Sequence, residues 1–157
     1  MIAILHNIRS SHNVGSIFRT SDGAGVDKIY LCGFTPSPIN KVGSERIRLT
    51  KVALGAENFI EWEQAKSTTA LIDRLKKEGY RIYAVEQTDK SIPHFKIKNE
   101  KLDKVALVMG NEVNGLTEGI IKRANKVLEI PMYGEKTSLN VSVAFGVVAY
   151  HLKINND

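Results

Sequence analysis

Three short segments of this chain combine glycines, amides, hydroxyls and single charges at spacings that can build a small polar site. The first runs Asn7-Ile8-Arg9-Ser10-Ser11-His12-Asn13-Val14-Gly15-Ser16-Ile17-Phe18-Arg19-Thr20. If a helix starts near Val14, Asn13 caps it, Gly15 lets another backbone approach, and Arg19 projects from the second turn. A guanidinium there could hold a phosphate or stabilise a developing oxyanion, or simply stand exposed on a capped helix. The second, Gly110-Asn111-Glu112-Val113-Asn114-Gly115-Leu116, puts the Glu112 carboxylate in a tight glycine turn, as a site residue or as a solvated or capping Glu. The third passes from Ile130-Pro131-Met132 through a polar loop to Ser138-Leu139-Asn140-Val141-Ser142-Val143-Ala144. There Ser138 and Asn140 could hydrogen bond a ligand or only cap a helix.

Positioning such segments requires a scaffold, and the hydrophobic periodicity supplies one. Residues 2–5 read as a buried strand, 14–24 as a helix carrying Ile17 and Phe18, and Lys28–Cys32 as a strand, which makes one βαβ unit. Residues 33–44, with Pro36 and Pro38, read as a loop, and 46–62 show no clear period. A helix is predicted over Thr68–Lys77, capped by Ser67 or Thr68 and ended by Gly79. Strands Arg81–Val85 and Val105–Met109, a helix over 117–124 and a strand over 127–130 follow. This alternation predicts an α/β fold, a mostly parallel sheet with helices on both faces. Each polar segment then leaves the carboxyl end of a strand, where open α/β sheets bind ligands. Residues 141–152 have almost no polar face and predict a helix buried on all sides. A homodimer interface would bury it; a core helix with one side under a loop is the plainer alternative.

Composition removes several classes of function. At 157 residues the chain is expected to be a single domain, 1–157. Lys and Arg total 22 against 17 Asp and Glu, a net charge of +5 that suits a polyanionic partner or merely a basic surface. Cys32 is the only cysteine, so no intrachain disulfide or cysteine metal site can form, which fits a reducing, cytoplasmic setting. No basic leader precedes the first apolar run and none approaches the ~18 residues that span a bilayer, so secretion and membrane insertion are not expected. His6, His12, His94 and His151 show no metal-ligand spacing, and no metal is expected. Gly110 and Gly115 copy the glycine spacing of a P-loop, but Leu116 stands where its Lys belongs; Gly23-Ala24-Gly25 lacks the third glycine of a dinucleotide fingerprint.

Taken together and in this order, the three segments resemble the SpoU or TrmH branch of the SPOUT RNA methyltransferases. The matching positions are Asn13, Gly15 and Arg19; Gly110, Glu112, Gly115 and Leu116; and Ile130-Pro131-Met132 with Ser138 through Ala144. The resemblance runs from Asn7 to Leu152. It implies a Rossmann-like fold whose C-terminal part forms a trefoil knot, an exception to the rule against knotted chains. It also implies an obligate homodimer and S-adenosyl-L-methionine held around Gly110, Ile130, Met132 and Leu139, with the loop near Thr88 closing the pocket. The implied reaction is methyl transfer to a ribose 2'-hydroxyl of RNA. A tRNA target is favoured over ribosomal RNA; the alternatives are an rRNA 2'-O-methyltransferase, an inert RNA-binding protein retaining the fold, or a small-molecule methyltransferase.

Within that resemblance Arg19 is the essential Arg, as general base or, since a guanidinium stays protonated, as oxyanion stabiliser. Asn13 is expected to support Arg19, Glu112 to orient it or the nucleotide, and Ser138 and Asn140 to complete the site. The Arg of one protomer is expected beside the cofactor of the other. Larger family members carry RNA-binding extensions, so here Arg9, Lys41, Arg46, Arg48 and Lys51 are the candidate RNA contacts. Asp at Phe145 or Val148 is expected to give monomers or insoluble protein.

Overall fold

A computed structural model of the chain describes residues 1–98 and 101–155. In chain order the elements are β1 (Ile2–His6), α1 (Ser11–Gly23), β2 (Lys28–Cys32), α2 (Ile47–Ala53), β3 (Glu61–Ala65), α3 (Thr68–Lys77) and β4 (Arg81–Val85). Then come β5 (Ile92–Pro93), β6 (Val105–Met109), α4 (Glu118–Ile121), β7 (Lys126–Glu129) and α5 (Val141–Ile154), with short 3-10 turns at Ala56–Asn58 and His94–Lys96. The strands form one sheet in the order β3-β2-β1-β6-β4-β7-β5, and every pairing is parallel rather than mostly so.

Alternation along the strands builds two cores. In β1, Ala3 and Leu5 join the cluster under α1, α2 and α5, while Ile2 and Ile4 join Leu71, Ile72, Leu75 and Ile120 under α3 and α4. The predicted strands and helices are present: β2, α3, β4 and β6 have the expected bounds, and the others have shifted ends. β7 lies one residue earlier than 127–130, and α4 is a single turn of the expected 117–124. The stretch without a clear period supplies α2 and the edge strand β3, whose half-exposed Glu63 pairs with Lys28 at 3.0 Å. Residues 86–91 lead from β4 past the carboxyl end of β7 into β5, where Ile92 and Pro93 pair with Leu128 and Glu129.

Two expectations are corrected here. Helix α1 begins at Ser11, not near Val14, because the Ser10 hydroxyl accepts the Asn13 N–H (3.2 Å) and takes the capping position. That frees the Asn13 side chain for the site. Along α5, Phe145 and Val148 are fully buried against their own domain, so Asp there would attack the fold instead of an interface. The outward stripe is Val143 (51% exposed), Val147 (37%), Tyr150 (42%) and Ile154 (71%), one helical face at spacings of four, three and four. Gly15 is pressed on the Leu49 carbonyl, so any Cβ there would separate α1 from α2, as the expected close approach requires. Among the described residues no helix is long and apolar enough to cross a membrane.

Candidate active site

Strands β6, β4 and β7 are neighbours and parallel, so their carboxyl ends open on the same side. A cleft of about 290 Å³ lies there, walled by Val85, Glu86 and Gln87, by Met109 through Val113 with Gly115, and by Leu128 through Ile130 with Met132. The start of α5 and the residues before it, Ser138 through Val141 with Ala144, close the fourth side.

The turn after β6 is held by backbone crowding and by a fan of hydrogen bonds. A Cβ on Gly110 would lie 2.6 Å from the Gly115 carbonyl carbon and 2.8 Å from the Leu116 nitrogen, and Gly115 itself has φ +62°. Both positions demand glycine. Asn111, almost fully buried, accepts the Val113 and Asn114 N–H groups on Oδ1 (2.9 Å each) and donates from Nδ2 to the Asn7 carbonyl at 2.7 Å. From the opposite wall Glu86 accepts the Leu116 N–H at 2.8 Å and the Gln87 N–H at 3.0 Å.

Glu112 then reaches across to α1. Its carboxylate accepts the Arg9 N–H (2.9 Å), the Ser10 N–H (3.1 Å) and the Asn13 carboxamide (3.0 Å), placing an anion at a helix N-terminus. Partial loss of water pushes its pKa up, but these N–H donors outweigh it and hold the carboxyl below its ordinary value. Asn13 Oδ1 in turn accepts from Asn140 Nδ2 at 3.1 Å. Asn140 caps α5 by accepting the Ser142 N–H (2.9 Å) and hydroxyl (2.7 Å). One chain of hydrogen bonds, Glu112 to Asn13 to Asn140 to Ser142, thus joins all three polar segments.

Seven of the residues singled out from the sequence line the cleft: Gly110, Glu112, Ile130, Met132, Ser138, Leu139 and Asn140. Asn13 touches it through Asn140. Thr88 lies in an adjoining depression, and its neighbour Gln87 lines the cleft instead, donating from Nε2 to the Thr137 carbonyl (2.9 Å). Arg19 is outside the cleft, exposed on α1 beside Ser16, Thr20, Val52 and Tyr150, with no hydrogen bond or ion pair among the described residues. Neither Asn13 nor Glu112 supports it. Lys41, Arg48 and Lys51 are exposed, as is Arg9; Arg46 is half-buried and donates from Nε to the Ser37 carbonyl (3.0 Å). Glu86, Gln87 and the clamp made by Asn111 were missed in the sequence. An acid directly after a buried parallel strand is the signal that could have found Glu86. Among the described residues no cluster of His, Cys, Asp or Glu could hold a metal ion.

A seven-stranded parallel sheet with a cleft at the carboxyl ends of neighbouring strands defines an open α/β fold, in which that is the place where ligands bind. A model of the SpoU rRNA Methylase family matches residues 1–150, and the chain belongs to that family. The tRNA (guanosine(18)-2'-O)-methyltransferase of Borreliella burgdorferi is 31% identical over 150 residues, 95% of this chain and 64% of that enzyme. The chain thus spans just under two thirds of that relative's length. Among solved structures, the A. aeolicus TrmH/SpoU tRNA modifying enzyme superposes with a TM-score of 0.84 at 28% identity, covering 98% of this chain and 74% of that one. The AdoMet-bound rRNA methyltransferase from Sinorhizobium meliloti gives 0.85 at 27% identity, covering 96% and 54%.

Proposed function

We propose that this chain is an S-adenosyl-L-methionine-dependent RNA methyltransferase that modifies a ribose 2'-hydroxyl, with tRNA the favoured target, working as a cytoplasmic homodimer with a trefoil knot near its C-terminus. The observation that carries this is the hydrogen-bonded chain Glu112–Asn13–Asn140, which fastens all three polar segments around one cleft. The tRNA preference leans on the tRNA-acting relatives.

The cleft suits the cofactor. Gly110 and Gly115 line it within a tight turn, and Ile130, Met132 and Leu139 offer apolar walls to a flat base. The cofactor supplies an electrophilic methyl carbon. The protein must then hold the ribose oxygen in line and accept charge as its proton leaves. Arg19, with no hydrogen-bond or ion-pair partner among the described residues, serves the second protomer's cleft and stabilises the oxyanion there. Asn13 and Glu112 fix the first turn of the helix that carries it. Burial pushes the Cys32 thiol up to about 11, and Cys32 is not among the residues that line the cleft.

The test is incubation with labelled S-adenosyl-L-methionine and separate unmodified tRNA and ribosomal RNA pools, with mass-spectrometric mapping of the product. Label is expected in tRNA as a 2'-O-methylnucleoside. Arg19→Ala should lower turnover by about 10²–10³ while calorimetric cofactor binding persists. No incorporation into either pool by protein that binds the cofactor would leave an RNA-binding protein.

A further inference from the structure

The cleft carries a charge opposite to that of the chain around it. Against a net charge of +5, its lining includes Glu86, Glu112 and Glu129, and no Lys, Arg or His among the described residues. Lys136 stands in an adjoining depression instead. Glu112 is occupied by two backbone N–H groups and a carboxamide. Glu86 and Glu129 differ from it in place: they project from the ends of β4 and β7, on two walls of the cleft, and neither forms an ion pair among the described residues. Both are held still. Glu86 is fixed by the Gln87 and Leu116 N–H groups, and Glu129 accepts the Ser91 hydroxyl at 2.6 Å.

We propose that Glu86 and Glu129 make the cleft select by ligand charge, binding the sulfonium cofactor more tightly than the thioether that remains after transfer. This rests on the cofactor reading above. In the reaction the carbon–sulfur bond breaks, its electron pair stays on sulfur, the ribose oxygen bonds the methyl carbon, and the hydroxyl proton leaves to solvent. The cofactor arrives with one net positive charge and departs with none. Fixed carboxylates favour the first form and not the second, so methyl transfer itself loosens the product. The hydrogen bonds that anchor the two carboxylates keep this preference in place without any movement of the protein.

Isothermal titration calorimetry on the full chain tests it with three ligands: S-adenosyl-L-methionine, S-adenosylhomocysteine, and sinefungin, which carries an ammonium near the position of the sulfonium. Wild-type protein is expected to bind the two cationic ligands more tightly than S-adenosylhomocysteine. Glu129→Gln should reduce that preference about threefold by weakening the cationic ligands alone, and Glu86→Gln should do the same. Glu86 also clamps Leu116, so if its variant melts early the Glu129 variant, which leaves that clamp intact, decides. An unchanged preference in folded Glu129→Gln overturns the proposal, as does equal binding of all three ligands by wild type. If wild type binds none of them, the cofactor reading falls first.

Discussion

Glu112 and Asn13 act on the site by tying down a helix start. The ordinary carboxyl value for Glu112 is 4.5, and its folded value lies lower because N–H donors outweigh desolvation. The ionised form therefore stabilises the fold. That contribution is complete above the unfolded value and is lost as pH falls through the depressed folded value. In denaturant titrations Glu112→Gln should be less stable than wild type at neutral pH, with the gap closing below about pH 4.5; a gap independent of pH would refute this. The sequence offered Asn13, Glu112 and Asn140 as site residues but not the hydrogen bonds that join them. Ser10 and Asn13 are both competent caps, and the choice is settled by Glu112, 99 positions from Asn13. No local pattern encodes a partner that distant. Arg19 shows another limit: its spacing and its expected role at the other protomer's cofactor came with the resemblance, while its neighbours Val52 and Tyr150 depend on how α1 packs.

At the scale of elements, β1, β2, β4 and β6 were legible because buried parallel strands are continuous apolar runs. The weaker elements were hidden for physical reasons. β3 is an edge whose acids are paired with Lys28 and Arg74, and β5 is two residues recruited by the end of β7. Helix α5 was recognised as apolar all round, yet only the packed structure separates its core side from its outer stripe. If the protein is the proposed homodimer, that stripe predicts where the second protomer sits. Val143→Asp with Val147→Asp should shift the protein from dimer to monomer in sedimentation equilibrium and abolish turnover, while leaving the circular dichroism spectrum intact. A dimer of unchanged affinity would place the interface elsewhere. Phe145→Asp should instead prevent folding, since it puts a charge where a fully buried ring now packs.

For the molecule as a whole, the proposed RNA substrate would be held through its phosphates by a chain of net charge +5 that exposes Lys41, Arg48 and Lys51. Affinity for tRNA should then fall steeply with salt. Lys51→Ala should flatten the plot of log affinity against log salt by about 0.7–0.9, uniformly across RNA sequences. A parallel plot for this variant would remove Lys51 from the contact surface. The sheet order carries one more consequence, in the time dimension. β1 is made well before one of its two neighbours, β6, which joins it in register from Ile2↔Ala106 to Leu5↔Met109. At ribosomal speeds β1 waits about 5–20 s for that partner. The cleft needs residues from Val85 through Ala144, so it is assembled only after most of the chain has been made. A nascent chain halted before α5 can already pair β1 with β2 and with β6, but its cleft lacks the wall that Val141 and Ala144 supply.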